Sequence, residues 1–295
     1  MRWIECYAQT ARLACTLLLC GVAATAEASA GTSGKLLLTG GVTQIEGAAG
    51  GGLTPWALIG GYGSRDQIGA NAFATRVDTG DYALSSEGAL IGFHDRLELS
   101  YARQRFDTRA IGATLGLGRG YTLEQVIYGA KWRLAGDAVL DQDRWLPQIA
   151  LGVQYKQNRR GDLVRALGAD DASGYDLYLA ATKLYLDYSL LLNATLRYTR
   201  ANQTGLLGFG ADGQDGKLAL EGSAAWLLTR KLALGAEFRS KPDQLAIARE
   251  DLWWDLFLAW APNHHLSITL AYVDLGNIVI ADDQRGAYLS VQVGF

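Results

Sequence analysis

The feature that most constrains the fold of this chain is a period-two alternation of apolar and polar residues, repeated in segments of about ten residues. The last segment, residues 286–295, has one apolar side and one side of polar or small residues. A β-strand shows this pattern when its two faces meet different media. The apolar side resembles the terminal assembly signal of outer-membrane β-barrels, and its residues are Leu289, Val291, Val293 and Phe295.

The breaks between these segments alternate between short turns and long loops. If Phe295 ends in the periplasm, every short turn also lies there, which is the layout of barrels with short periplasmic turns and longer external loops. An open sheet of this length would leave unpaired edges in lipid, so closure is expected. The predicted strands are 82–93, 96–106, 126–134, 145–155, 175–186, 190–200, 217–228, 231–239, 252–260, 266–272 and 286–295.

Three further candidate strands lie in the amino-terminal part, at 35–45, 53–62 and 68–77. The glycine-rich run 47–52 is too flexible for a strand of the wall. We therefore expect an all-β fold, a closed transmembrane antiparallel up-and-down β-barrel of about 12 strands, with 14 as the alternative. Residues 27–67 form a glycine-rich segment that is either a plug of the lumen or the first strands, and residues 68–295 form the barrel.

The first 26 residues predict an export signal. The apolar run 13–24 is shorter than the roughly 20 residues that a spanning helix needs. Small residues follow it, so cleavage is expected after residue 26 or as late as residue 30. Cys6, Cys15 and Cys20 are the three cysteines of the chain and all lie in this segment. The mature chain would then have no thiol for a disulfide, a metal site or a nucleophile.

Aromatic residues concentrate at both ends of the predicted strands, as in the aromatic girdles of membrane barrels. Those near short turns are Trp132, Trp145, Trp226 and Trp260, and those near long loops are Tyr155, Tyr198, Tyr272, Trp253 and Trp254.

The opposite face of the strands carries charged and polar residues. An Arg or Lys that faces lipid at mid-depth costs about 2–4 kcal/mol, so this face should line a lumen. Arg103 and Arg105 share the apolar face instead, and contact with anionic lipopolysaccharide would explain them. The candidates for the lumen are Glu98, Lys131, Arg133, Gln148, Lys183, Arg197, Glu221, Glu237, Arg239 and Asp255.

No catalytic constellation stands out in the sequence. The three histidines, His94, His264 and His265, fall in predicted short turns. The acidic pairs in 170–171 and 212–215 lack the full ligand ladder and closing Glu of a calcium loop. We therefore expect no enzyme activity, no metal and no cofactor. A net charge of −3 without a basic cluster argues against nucleic acid as a partner.

Two stretches, 39–63 and 76–82, resemble a Gram-negative family of outer-membrane proteins classed as a domain of unknown function. The resemblance implies the barrel fold and a place in the cell outer membrane, but no activity. The partners expected are outer-membrane lipid, lipopolysaccharide, the barrel assembly machinery and an unidentified small solute. The leading hypothesis is a passive channel or transporter for small solutes. The alternatives are a structural or adhesive barrel that acts through its external loops, and a plugged barrel that takes up a hydrophobic ligand.

Overall fold

The computed structural model describes residues 35–213, 215–245 and 247–295. The predicted export signal lies outside the described residues. Two short helices, α1 (Ile111–Thr114) and α2 (Gly161–Ala166), lie between strands. No helix in the described part of the chain is long and apolar enough to cross a membrane. The strands are β1 (Val42–Thr43), β2 (Ala49–Gly50), β3 (Ile68–Thr79), β4 (Ala83–Phe93), β5 (Leu97–Asp107), β6 (Thr122–Ala135), β7 (Gln148–Asn158), β8 (Ala169–Asp171), β9 (Ser173–Tyr185), β10 (Leu190–Thr199), β11 (Phe209–Ala211), β12 (Lys217–Thr229), β13 (Leu232–Arg239), β14 (Trp253–Asn263), β15 (Leu266–Asp274) and β16 (Arg285–Gly294).

Among the described residues, twelve antiparallel strands close into one barrel, in the order β3-β4-β5-β6-β7-β9-β10-β12-β13-β14-β15-β16. β16 pairs with β3 and closes it, with Val291 opposite Ala74. The predicted closed antiparallel barrel is confirmed, with twelve strands rather than fourteen. The backbone N–H of Phe295 donates to the carbonyl of Ala70 over 2.8 Å, so the last residue extends the closing pair. Its ring is exposed on the outside, on the same face as Leu289.

The wall strands alternate between an apolar outer face and a buried inner face. On β14, Leu256, Leu258 and Trp260 are exposed outward, while Asp255 and Phe257 are buried inward. A strand that separates lipid from a lumen needs this alternation, because a polar outward side chain would lose its hydration in the bilayer. The outer surface is therefore the lipid-facing side of a transmembrane barrel.

The connections lie at two ends of the barrel. We call the end with connections 80–82, 108–121, 159–172, 200–216, 240–252 and 275–284 the loop end, and the end with 94–96, 136–147, 186–189, 230–231 and 264–265 the turn end. The rule that only the loop end has long connections is not strict. Connection 136–147 at the turn end is longer than 80–82 at the loop end, and it includes residues 145–147 because β7 begins at Gln148 and not at Trp145. Trp145 therefore lies in that connection, 84% exposed.

Residues 35–62, which we call the plug segment, lie inside the barrel. β1 and β2 pair in a hairpin of their own, so neither joins the wall. Residues 38–61 are buried throughout, and their polar groups bond to inward side chains of nine wall strands, as described below. Two apolar clusters cover this polar centre. The cluster at the turn end contains Leu38, Val42, Trp56, Leu58, Leu184, Leu191 and Phe257, and that at the loop end contains Ile45, Leu53, Tyr82, Phe106, Leu206, Leu207, Leu245, Trp253 and Ile278.

Candidate functional site

The lumen is lined by polar and charged side chains of the wall. Of the ten candidates from the sequence, eight point inward and are at most 3% exposed: Glu98, Lys131, Gln148, Arg197, Glu221, Glu237, Arg239 and Asp255. A polar lining of this density would hydrate readily if the plug segment were absent, because its groups would need other hydrogen-bond partners. The structure instead satisfies most of them with the backbone and side chains of the plug segment.

Glu98 and Lys131 hold the glycine-rich part of the plug segment. The Glu98 carboxylate accepts the backbone N–H of Ala49 at 3.1 Å and of Gly60 at 2.8 Å. Lys131 Nζ donates to the carbonyls of Ala49 at 2.9 Å and Leu58 at 2.7 Å. It also donates to Glu98 over 3.1 Å. The pair is neutral as a whole and binds backbone of both polarities, so it clamps two chain segments without a specific plug side chain.

A charge cluster of six residues lies in the half of the lumen nearer the loop end. Lys156 (β7), Asp176 (β9), Arg197 (β10), Glu221 (β12) and Arg239 (β13) belong to the wall. Lys156 and Arg197 contact Asp176 at 2.7 and 3.1 Å, and Arg197 contacts Glu221 at 2.5 Å. The sixth member is Glu46 of the plug segment.

The Glu46 carboxylate lies among the three cations of this cluster. Its Oε1 accepts from Lys156 Nζ at 2.5 Å and from Arg239 Nη2 at 3.0 Å. Its Oε2 lies 3.6 Å from Arg197 Nη2 and has no hydrogen-bond partner in the described part of the chain. Burial favours the neutral carboxyl, but Arg239, Lys156 and Arg197 hold the pKa of Glu46 well below its usual 4.5. Glu46 is therefore ionised and acts as the counter-ion that completes the cluster.

An acidic pair lies beside residues 51–54 of the plug segment. Glu237 and Asp255 are directly opposite each other on β13 and β14. Glu237 accepts the N–H of Leu53 at 2.6 Å and the hydroxyl of Thr54 at 3.1 Å. Gly51 approaches so closely that a Cβ there would lie 1.4 Å from Glu237 Oε1, so a larger residue would displace the carboxylate from its bonds with Leu53 and Thr54. The glycine-rich run thus serves close approach to the wall.

Further polar contacts fix the plug segment around the barrel. The Thr54 and Ser223 hydroxyl oxygens are 2.6 Å apart, and Trp56 Nε1 donates to Ser223 Oγ at 2.9 Å. Gln148 Nε2 donates to the carbonyl of Ala57 at 2.7 Å. Wall contacts of this kind come from β4, β5, β6, β7, β9, β10, β12, β13 and β16. The segment is therefore docked against almost the whole circumference.

Two candidates from the sequence differ from the rest. Arg133 points inward at the rim of the turn end, where it donates to the Gly136 carbonyl and pairs with Asp137 at 3.0 Å. Lys183 does not face the lumen. It is opposite Leu192, an outward residue, and its Nζ bonds to the carbonyl of Asp141 in connection 136–147. The charge of Lys183 on the outward face of β9 is tolerated because connection 136–147 covers it.

Loops cover the charge cluster at the loop end. The Thr204 carbonyl accepts from Lys156 Nζ at 3.2 Å, so connection 200–216 touches the cluster directly. Lys241 and Glu250 pair at 2.7 Å, and Lys241 Nζ lies 4.5 Å from the centroid of the Trp253 ring. Burial lowers the pKa of Lys241 and raises the pKa of Glu250. Trp253, which Lys241 contacts, points inward and is 4% exposed. Its prediction as part of an aromatic girdle on the lipid-facing side is therefore wrong.

Arg103 and Arg105 lie on the outside, as their parity indicates, but both have protein partners. Arg103 pairs with Glu124 at 3.0 Å, and Arg105 lies 3.5 Å from Glu87. These exposed pairs are neutralised within the wall, and contact with lipopolysaccharide stays a prediction.

The sequence interpretation missed Lys156, Asp176 and Glu46. Lys156 lies on the same face of β7 as Gln148, a predicted lumen residue, so the alternation of β7 contains the signal for it. Asp176 lies on β9, whose faces are ambiguous near the turn end, where Thr182, Lys183 and Leu184 are all buried. Glu46 belongs to a segment in which apolar and polar residues do not alternate, so the sequence holds no signal for its role.

The three histidines and the acidic pair of residues 170–171 lie apart from the lumen. His94 has a positive φ in the turn before β5, and His264 and His265 lie in the turn between β14 and β15. Asp170 and Asp171 pair with Arg200. Within residues 35–213, 215–245 and 247–295, no group of three His, Cys, Asp or Glu side chains is placed to hold a metal ion.

A family model described as "Protein of unknown function (DUF3034)" matches residues 39–292, which include the plug segment from Thr39 onward and nearly all of the barrel. The chain belongs to this family. The resemblance noted in the sequence is thereby confirmed. A search of curated protein sequences finds no significant match.

The similar solved structures are outer-membrane proteins of low sequence identity. The KdgM porin is 11% identical with a TM-score of 0.51, over 76% of this chain and 99% of the porin. The NanC porin is 10% identical with a TM-score of 0.49, over 77% and 98%. Outer membrane phospholipase A from Escherichia coli is 10% identical with a TM-score of 0.40, over 80% and 93%. At these identities the likeness to the KdgM porin supports the barrel fold alone.

Proposed function

We propose that this protein is an outer-membrane transport barrel for small polar solutes, closed at rest by its plug segment. The observation that carries the proposal is the chemistry of the boundary between plug and wall. The central contacts are hydrogen bonds and ion pairs, such as those of Glu98, Lys131 and Glu237. Water can replace contacts of this kind, whereas it cannot replace a packed apolar core.

The wall and the plug segment are separable in a further respect. The barrel closes through β3–β16 pairing without any strand from residues 35–62. Movement of the plug segment therefore breaks no hydrogen bond between wall strands. A twelve-stranded wall leaves an interior wider than that of an eight-stranded barrel, which side chains alone fill.

We place the barrel in the Gram-negative outer membrane, with the turn end in the periplasm. The apolar outer face and the short turns at that end support this orientation. Lipid and lipopolysaccharide around the wall, and the barrel assembly machinery during insertion, follow as partners. The proposal includes no catalytic step.

A reversible cross-link tests the proposal. The Thr54 and Ser223 oxygens are 2.6 Å apart, so Thr54→Cys with Ser223→Cys should form a disulfide between plug and wall. The background carries Cys6→Ser, Cys15→Ser and Cys20→Ser, which removes the other thiols. In planar bilayers, brief openings of the reduced protein should disappear on oxidation and return on reduction. Each single cysteine variant is the matched control and should not respond to oxidation.

Two results would overturn the proposal. One is an unchanged opening frequency when mass spectrometry shows the cross-link complete, since openings would then not involve the plug segment. The other is silence of the wild type and the reduced variant under all conditions. That silence would favour the alternative of a permanently closed structural or adhesive barrel, for which the apolar clusters at both ends of the lumen are the supporting observation.

A further inference from the structure

The five wall residues of the charge cluster are not neutral without the plug segment. Lys156, Arg197 and Arg239 contribute three positive charges, while Asp176 and Glu221 contribute two negative charges. Glu46 supplies the missing negative charge. Members of the cluster are at most 3% exposed, so these charges neutralise one another without contact with water.

Withdrawal of Glu46 alone would leave one buried cation without a counter-ion. A buried charge that loses its partner is strongly destabilising. Opening of the lumen therefore needs either water or a second anion at the position of the Glu46 carboxylate. Glu237 does not fill this place, because its oxygens accept from Leu53, Thr54 and Ser223.

Glu46 is also an imperfect occupant of the position. Its Oε1 accepts two charge-assisted hydrogen bonds, but its Oε2 accepts none within the described residues, although it is fully buried and faces Arg197. A carboxylate free of the chain could rotate to engage Arg197 with its second oxygen, since guanidinium groups bind carboxylates through parallel N–H donors.

We propose that Lys156, Arg197 and Arg239 form a binding site for a carboxylate-bearing small solute, and that such a solute releases the plug segment by taking the place of the Glu46 carboxylate. The inference rests on the proposed function and names its substrate class. The site lies in the half of the lumen nearer the loop end, beneath connection 200–216, so a solute that passes this connection meets the site before the Glu98–Lys131 clamp. Because Lys156 also bonds to Thr204, occupation of the site couples connection 200–216 to the plug segment.

Single-channel recording with two matched solutes tests the inference. Sodium glucuronate is the probe and glucose is its uncharged control, at constant sodium chloride. The open probability of the wild type should rise roughly tenfold with glucuronate and stay unchanged with glucose, because a ligand shifts an equilibrium only through differential binding to the two states.

Two variants separate charge balance from general damage. Glu46→Gln should open frequently without glucuronate, because the cluster keeps its excess positive charge and the plug segment no longer offsets it. Glu46→Gln combined with Arg239→Gln restores neutrality, so this double variant should be closed as often as the wild type and should not respond to glucuronate.

The outcomes distinguish the two proposals. If the Thr54–Ser223 cross-link abolishes openings but glucuronate and glucose act alike, the carboxylate site is wrong and the plugged barrel stands. If the cross-link has no effect on openings, the plugged barrel itself is wrong. A double variant that still responds to glucuronate would also overturn the assignment of the site to these three cations.

Discussion

Replacing Glu98 with Gln should undock the plug segment while leaving the wall intact. Gln cannot balance the charge of Lys131, which is 1% exposed. The N–H groups of Ala49 and Gly60 donate to different carboxylate oxygens of Glu98, so the single side-chain oxygen of Gln can replace one of these acceptors while its NH₂ group meets the other N–H. Breaking a buried pair by removing one partner costs about 3–5 kcal/mol.

That cost falls mainly on the docked state, because Lys131 regains water when the plug segment leaves. At 1.4 kcal/mol per factor of ten, the docking equilibrium should shift by about two to three and a half orders of magnitude. Amide hydrogen exchange in detergent micelles measures the shift. The N–H groups of Ala49 and Gly60 should exchange faster by that factor, whereas amides of β14 and β15 should keep their protection.

Glu87→Gln is the matched control. Glu87 lies on the outer face, where its side chain is 50% exposed and 3.5 Å from Arg105, so its substitution removes a carboxylate of a wall ion pair that does not involve the plug segment. A surface substitution is expected to change the exchange rates of Ala49 and Gly60 by no more than roughly threefold. If the Glu98 variant shows only such a change, the clamp is refuted.

Two further outcomes are expected. Asp137→Ala should loosen connection 136–147, because the carboxylate accepts the N–H of Val139 and Leu140. Burial alone would raise the pKa of Asp137, but these N–H groups and Arg133 lower it from 3.8 to about 2, so its stabilising contribution is complete above its ordinary pKa and is lost as the pH falls through about 2. The difference in thermal stability between wild type and variant should therefore shrink between pH 4 and pH 2, and a constant difference would contradict this assignment. Deleting Phe295 removes the hydrogen bonds of its backbone to Ala70 and Tyr62 at the closing pair. It should reduce the level of heat-modifiable barrel in membranes more than it changes the opening frequency of the barrels that do assemble, and a normal level would argue against a role in assembly.

The wall could be predicted from the sequence because every wall strand separates two media. Alternation locates such strands and assigns their faces, which is why Glu98, Lys131 and Glu237 were recognised as inward residues. Lys183 shows the limit of this argument. Its parity is outward, but connection 136–147 folds over it, and alternation carries no information on what a distant connection covers.

The centre of the site could be predicted only in part. The wall encloses the plug segment around almost its whole circumference, so no face of the segment meets a second medium and its apolar and polar residues do not alternate. The role of Glu46 depends on three cations that are more than 100 residues away in the chain. The glycines at 50–52 were interpreted as flexibility, whereas the structure uses Gly51 for contact with Glu237.

The contacts of the plug segment have a consequence for the order of folding. Thr43 bonds to Gln292 across 249 residues, and Leu53 bonds to Glu237 across 184. Contacts of such sequence separation form late, because the loop between them must close first. The segment nearest the amino terminus thus finds its complete set of partners only after the last strand is in place. Its docking therefore depends on closure of the barrel in the correct register, and a misassembled barrel would leave a glycine-rich strand pair undocked.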